Sequence, residues 1–129
     1  MNWVSVYRCL CDKTRLRIIN LLLEGPLCVC HLAAILDLSQ PKISRHLKML
    51  KEAKAIETVR CYNWTICNLP AKPNRLLEVN LKCLQDLRGE DPVFTEDLVR
   101  REAIIERMSS ECEDLPEQIR CLCLKSGEG

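Results

Sequence analysis

The sequence predicts a mainly α-helical chain with one small β-hairpin, and three observations carry that expectation. Apolar residues recur at helical spacing over most of the first 53 positions. Two short runs, 56–60 and 64–69, are instead rich in β-branched and aromatic residues, the pattern of paired strands. Gly, Pro and Asp punctuate the chain where elements should begin or stop.

The elements follow in order. A short first helix is expected from Asn2 to Leu10. Asp12 then reads as an N-cap, since a short carboxylate can accept from free amides of a first turn. A second helix runs to Glu24 with Leu16, Ile19, Leu22 and Leu23 on one face, and Gly25-Pro26 ends it. A third helix covers Val29 to Leu36, Asp37-Leu38 makes a tight turn, and Ser39 caps a fourth helix to Ala53. The two strands follow, joined by Cys61-Tyr62-Asn63. Pro70 and Pro73 stop the second strand. Pro73 starts a helix to Arg88 that repeats Leu77, Leu81 and Leu84, an apolar seam for a partner helix. After a break at Gly89–Pro92, Thr95 caps a helix to Met108, and a last short segment begins near Pro116.

Bulk properties narrow the function. The chain has 129 residues, enough for one domain with a real core. It contains nothing like the roughly 18 apolar residues in a row that a membrane span needs. The start, Met1-Asn2-Trp3-Val4, lacks the regions of a secretory signal, so a cytoplasmic location is expected. There the ten cysteines should be mostly thiols. Several come as close pairs: Cys9/Cys11, Cys28/Cys30 and Cys121/Cys123. The overall charge of +1 hides a basic segment, Ser39–Arg60, with six bases against two acids, and an acidic one, Gly89–Gly129, with eleven acids against five bases. The first suits phosphate contact; the second would be repelled by it. There is no Gly-rich phosphate loop and no nucleophile–base signature, so no enzyme is expected.

The fourth helix carries the strongest functional signal. Ile43, Leu47 and Leu50 share its inner face, while Pro41, Lys42, Arg45, Lys48 and Glu52 collect on the opposite one with Ser44 on the flank. Ser39, Gln40, Lys42 and Ser44 sit in the first turns, where a recognition helix meets base edges and free amides suit a phosphate. Gln can pair bidentately with adenine, and Arg or Lys with guanine. With Arg60 and Asn63 on the following hairpin, these residues make up a candidate DNA-binding set. A solvated basic face would explain the helix alone. The preceding short helix, the tight turn and the hairpin together favour a winged helix-turn-helix.

Leu38-Ser39-Gln40-Pro41-Lys42-Ile43-Ser44-Arg45-His46-Leu47 resembles the recognition helix of the ArsR/SmtB family of metal-responsive repressors. Asp12-Lys13-Thr14-Arg15-Leu16-Arg17-Ile18-Ile19 is similar to that family's second-helix signature, with Lys13 where Pro is usual. Leu27-Cys28-Val29-Cys30-His31-Leu32-Ala33 resembles its metal box, with Ala33 where the arsenic-sensing branch often has a third cysteine. The hairpin tip, Cys61-Tyr62-Asn63, lacks the usual Gly. The resemblance spans residues 8–69. It implies a homodimer joined through terminal helices, the first and fifth, that sits on operator DNA without any cofactor and is released by an inducer. On that basis residues 1–88 form the DNA-binding and dimerisation domain, and 89–129 an acidic helical extension with cysteines.

Cys28 and Cys30 are the candidate metal ligands. On a regular helix they would point about 200° apart, so chelation is expected to need an irregular or unwound first turn of the third helix. Thiolates favour As(III) or Sb(III) as inducer over Mg or Ca, with Cd(II), Pb(II) or Zn(II) as the alternative ions. A third donor is expected from Cys9/Cys11 or Cys121/Cys123, of the same or the other protomer. Cys67 and Cys83 read as small core residues, and Cys61 and Cys112 stay open. His46 reads as packing near the inner face, and Trp64 as the hairpin's core anchor. Three functions remain: a metal(loid)-released repressor, a redox or persulfide sensor on the same fold, and a metal-trafficking protein that ignores DNA.

Overall fold

The structure, a computed structural model, describes residues 2–61 and 63–111, with only the backbone of 109–111. The expectations for Cys112, for the segment near Pro116 and for Cys121/Cys123 lie outside the described residues. The elements run α1 (Trp3–Leu10), α2 (Lys13–Leu22), β1 (Leu27–Cys28), α3 (Val29–Leu36), α4 (Gln40–Glu52), β2 (Glu57–Cys61), β3 (Trp64–Asn68), α5 (Arg75–Leu87) and α6 (Pro92–Glu111).

Polar caps set most helix starts. Asn2 accepts from the Ser5 amide at 3.1 Å, Asp12 from the Arg15 amide at 3.0 Å, and Ser39 from the Lys42 amide at 3.4 Å. The fifth helix begins at Arg75 rather than at Pro73, because Asn74 takes the cap and accepts from the Leu77 amide at 2.8 Å. The sixth begins at Pro92 rather than after Thr95. Asp91 accepts from the Val93 amide at 3.0 Å, and Pro92 has the φ a first helical residue needs. Thr95 lies inside that helix, its hydroxyl donating to the Pro92 carbonyl. Gly25, at φ 133°, turns the chain out of α2 in a conformation other residues avoid. The turn between α3 and α4 puts Asp37 in the left-handed region at φ 53°, which a short Asp side chain tolerates.

The hairpin β2–β3 pairs Val59 with Ile66, Arg60 with Thr65 and Cys61 with Trp64. A third strand joins it: β1 pairs antiparallel with β3, Leu27 opposite Cys67 and Cys28 opposite Ile66, giving the order β1-β3-β2. Two residues carry no periodicity, so the sequence offered no sign of this strand. Its effect is large. The segment entering α3 is tied to the sheet that carries the wing.

Ile18, Ile19, Leu21, Leu32, Ile35, Ile43, Leu50 and Leu77 form the core, with Leu84 and Phe94 closing it from α5 and α6. Cys67 lies in this core as expected, whereas Cys83 is exposed, because it stands on the outer flank of the Leu77–Leu84 stripe. The described part of the chain beyond Gly89 packs into the core, since α6 lies against both α2 and α3. Two polar anchors fix it there. Fully buried Asp97 accepts two bonds from Arg17 of α2, at 2.7 and 2.9 Å, and one from Arg100 at 2.8 Å. Buried Asn20 donates to the Phe94 carbonyl at 3.0 Å and accepts from Arg88 Nε at 2.8 Å, joining α2, α5 and α6. Among the described residues no helix is long and apolar enough to cross a membrane.

Truncating Phe94 tests whether α6 belongs to the core. Phe94→Ala is expected to cost about 3–5 kcal/mol in urea unfolding, the usual effect of emptying an aromatic core position. A loss below about 1 kcal/mol would mean that the core closes without this helix.

Candidate functional site

The site begins with the backbone of Cys28. This residue ends β1 and is the N-cap of α3, with extended torsions of φ −82° and ψ 163°. It therefore lies outside the helical periodicity, and the separation of about 200° expected for two helical residues does not apply. The Sγ atoms of Cys28 and Cys30 lie 2.6 Å apart. No unwinding of α3 is needed to bring them together, which corrects the expectation of an irregular first turn. One soft ion with bonds of about 2.3 Å would span two sulfurs no more than about 4.6 Å apart, so small side-chain rotations suffice to admit it.

His31 completes the junction. Its Nδ1 accepts from the Cys28 amide at 3.2 Å and lies 3.2 Å from Cys28 Sγ, an imidazole–thiol version of the reciprocal capping box. Accepting at Nδ1 assigns the ring proton to Nε2. The ring is 1% exposed. Burial, with the nearby positive charge of Arg101 from α6, lowers its pKa to about 4, so it is neutral at pH 7.

The two thiols are not equivalent. The hydrogen bond from Cys28 brings Cys30 down to about 7, helped by the amides of His31 and Cys30 and opposed by burial. Donating that bond, together with burial, pushes Cys28 well above the ordinary thiol range. The pair thus loses its first proton from half-buried Cys30, and the helix N-terminus supports the charge. Elsewhere, burial raises Cys67 to about 12 and also raises Cys9. Cys30 is the thiol best suited to soft-ligand chemistry among the described residues.

The candidate DNA-binding residues lie close by. Ser39, Gln40, Lys42, Ser44, Arg45 and Lys48 are all exposed on α4, opposite buried Ile43, Leu47 and Leu50. Arg60 and Asn63 are exposed on the wing, where Arg60 donates to Thr65 Oγ1 across the hairpin at 3.2 Å. Cys28, Cys30, Gln40, Ser44, Arg60, Asn63 and Trp64 line one cleft of about 570 Å³ between α4 and the wing. Trp64 is half-buried in its wall rather than anchored in the core.

Arg15 is a positioning residue that sequence reasoning passed over. Nearly buried, it donates to the carbonyls of Cys9 at 2.6 Å and Arg8 at 3.3 Å. Its other end meets His46 Nδ1 at 3.4 Å and Met49 Sδ at 3.5 Å, so it clamps α4 to the end of α1. The half-buried position of His46 agrees with the packing role expected of it.

Other donors are less convergent. Cys9 faces the core, while Cys11 and Cys83 line a separate apolar groove between α1 and α5. Among the described residues no three His, Cys, Asp or Glu side chains are arranged to hold a metal ion.

Residues 12–57 match the model of the arsR family of bacterial regulatory proteins. The chain is 42% identical over 86 residues to an arsenic resistance transcriptional regulator of Pseudomonas putida, covering 66% of this chain and 67% of that protein. It is 39% identical over 88 residues to the arsenical resistance operon repressor of Escherichia coli, covering 64% and 75%. Among solved structures, HlyU of Vibrio cholerae superposes with a TM-score of 0.58 at 25% identity, covering 65% of this chain and 88% of that one. The antimony-specific transcriptional repressor AntR superposes with a TM-score of 0.52 at 30% identity, covering 68% and 80%.

The junction makes a pH-dependent contribution to stability. His31 takes up a proton readily when unfolded, near 6.5, but resists it when folded until about pH 4. Its contribution is therefore full above pH 6.5 and is lost as pH falls toward 4, at about 1.4 kcal/mol per unit. In urea unfolding at pH 7, 5.5 and 4.5, His31→Gln should flatten the stability profile over this window. A variant with the wild-type slope would place the linkage elsewhere.

Proposed function

The chain belongs to the arsR family of bacterial regulatory proteins, and from that premise we propose that it is a homodimeric transcriptional repressor released from operator DNA by a thiophilic metal(loid) held at Cys28 and Cys30. Members of this family are regulators rather than enzymes. The observation that carries the reading is the contact between the two sulfurs, set 2.6 Å apart in the cleft of the recognition helix. The relatives named for arsenical resistance and the antimony-specific repressor favour As(III) or Sb(III) as inducer. A match to a cadmium resistance regulator of Staphylococcus aureus keeps Cd(II) as the alternative ion.

Trivalent arsenic needs three donors, and His31 is a poor one because its Nδ1 is engaged at the Cys28 amide. The third thiolate is assigned to Cys9/Cys11 or to Cys121/Cys123, of the same or the other protomer, with Cys11 the exposed member of the first pair. Exposed Trp3 and Tyr7 on α1 and Val79 on α5 leave an apolar surface that suits a second copy of the chain. DNA as partner implies a cytoplasmic location. On the duplex, Gln40, Lys42, Ser44 and Arg45 read the major groove, while Ser39, Lys48, Arg60 and Asn63 hold the backbone.

The sulfur contact favours one second reading: peroxide could oxidise Cys28 and Cys30 to a disulfide, the two thiols giving up two protons and two electrons and the peroxide becoming two waters. Release of DNA by peroxide in metal-free buffer, reversed by a dithiol, would select it.

Titration calorimetry of the reduced protein with arsenite is expected to show binding that Cys28→Ser/Cys30→Ser abolishes; unchanged affinity in that variant would remove the site. On DNA, Lys48→Ala should weaken binding to all duplexes alike and lower the salt dependence, whereas Gln40→Ala should relax discrimination at one base pair by about 1–3 kcal/mol. Equal loss on every sequence for Gln40→Ala would contradict its reading role.

A further inference from the structure

The proposed sensor pair and the proposed DNA-reading residues face the same space. Cys28 is 2% exposed and Cys30 half-buried, so a ligand reaches the sulfurs only where they open to solvent. Both sulfurs line the cleft between α4 and the wing. Gln40 and Ser44 form one wall and Arg60, Asn63 and Trp64 the other. A duplex seated on α4 and touched by the wing must cover this opening, because it contacts both walls.

We infer that Cys28 and Cys30 lie inside the DNA footprint, so that a ligand on the thiols and a duplex on α4 and the wing exclude one another from one cleft. This rests on the repressor reading of the same site and adds to it how release occurs. The sulfurs meet without distortion of α3, so distortion is not what binding has to accomplish. A ligand between the walls blocks the approach of the duplex, and reciprocity requires a bound duplex to weaken the ligand's binding by the same factor. At about 570 Å³ the cleft holds far more than a bare ion, so the size of what sits on the sulfur should govern how strongly DNA is expelled.

The test needs no metal. The full-length reduced protein is alkylated with iodoacetamide, alone and with a saturating duplex recovered from a random pool by the protein itself, and each cysteine is followed by mass spectrometry. Cys30 is expected to react several-fold more slowly with saturating DNA bound, because only the DNA-free fraction exposes its sulfur to the reagent. Cys11 and Cys83, on the α1–α5 side, should keep their rates. In a Cys28→Ala variant, which cannot chelate, Cys30 is then capped with methyl or benzyl methanethiosulfonate. Its sulfur displaces methanesulfinate and forms one mixed disulfide. DNA affinity should fall with the methyl adduct and further with the benzyl one, against a Cys28→Ala/Cys30→Ala control treated identically. Equal Cys30 rates with and without DNA, or affinity indifferent to adduct size, would overturn the inference. Arsenite release of DNA alongside either result would leave the repressor reading intact. Protection and graded loss without arsenite release would instead overturn that reading and keep the shared cleft.

Discussion

Among the described residues, the candidate site hangs from the extended backbone at Cys28. With φ −82° and ψ 163°, this residue closes a strand pair with Ile66 and caps α3 at once. One residue thereby ties the wing sheet to the helix-turn-helix. Were its torsions helical, Cys28 and Cys30 would diverge, and β1 would lose its bond to β3. The junction explains why sulfur chemistry and the recognition helix share a cleft: both are built outward from the same turn of chain.

A second layer holds that junction from behind. His31 seals the turn by accepting the Cys28 amide, and its burial is completed by α6, whose Arg101 stands near the ring. α6 is in turn fixed to α2 by the Arg17–Asp97 pair and by Asn20 at the Phe94 carbonyl. Arg15 performs the matching task for α4, bridging it to the last turn of α1. Long arginines do this well because one planar group can satisfy several acceptors at fixed angles. The polar anchors therefore orient elements that apolar packing alone would leave free to slide.

Much of this was legible in the sequence. Capping residues, Gly25-Pro26 and the Ile43/Leu47/Leu50 stripe placed the helices, because their signals are local and need no knowledge of the partner. The hairpin was legible from its β-branched runs. What escaped was set by tertiary context. β1 is too short to have a period; Cys83 sits beside an apolar stripe without being in it; and Asp91 outcompeted Thr95 for a cap only because Pro92 could start the helix. The geometry of Cys28 and Cys30 was hidden from the sequence for a related reason. A two-residue spacing fixes the angle between side chains only if both residues obey the helix, and the first of them does not. Arg15 lies in the segment that resembles the second-helix signature, but its clamping role was not legible, since a buried clamp and a solvated arginine look identical in a sequence.

The asymmetry of the thiol pair gives the junction its chemical character. Two equivalent thiols at ordinary pKa would both stay protonated near neutral pH and bind soft ions slowly. Here Cys28, buried and donating, holds its proton, while Cys30 receives the bond and yields its own near neutral pH. On the proposed reading, the first sulfur–ligand bond would form at Cys30, the more exposed of the two sulfurs, and Cys28 would follow once a bound cation favoured loss of its proton. That order would run from the cleft inward, set by burial and hydrogen bonding that the fold already provides.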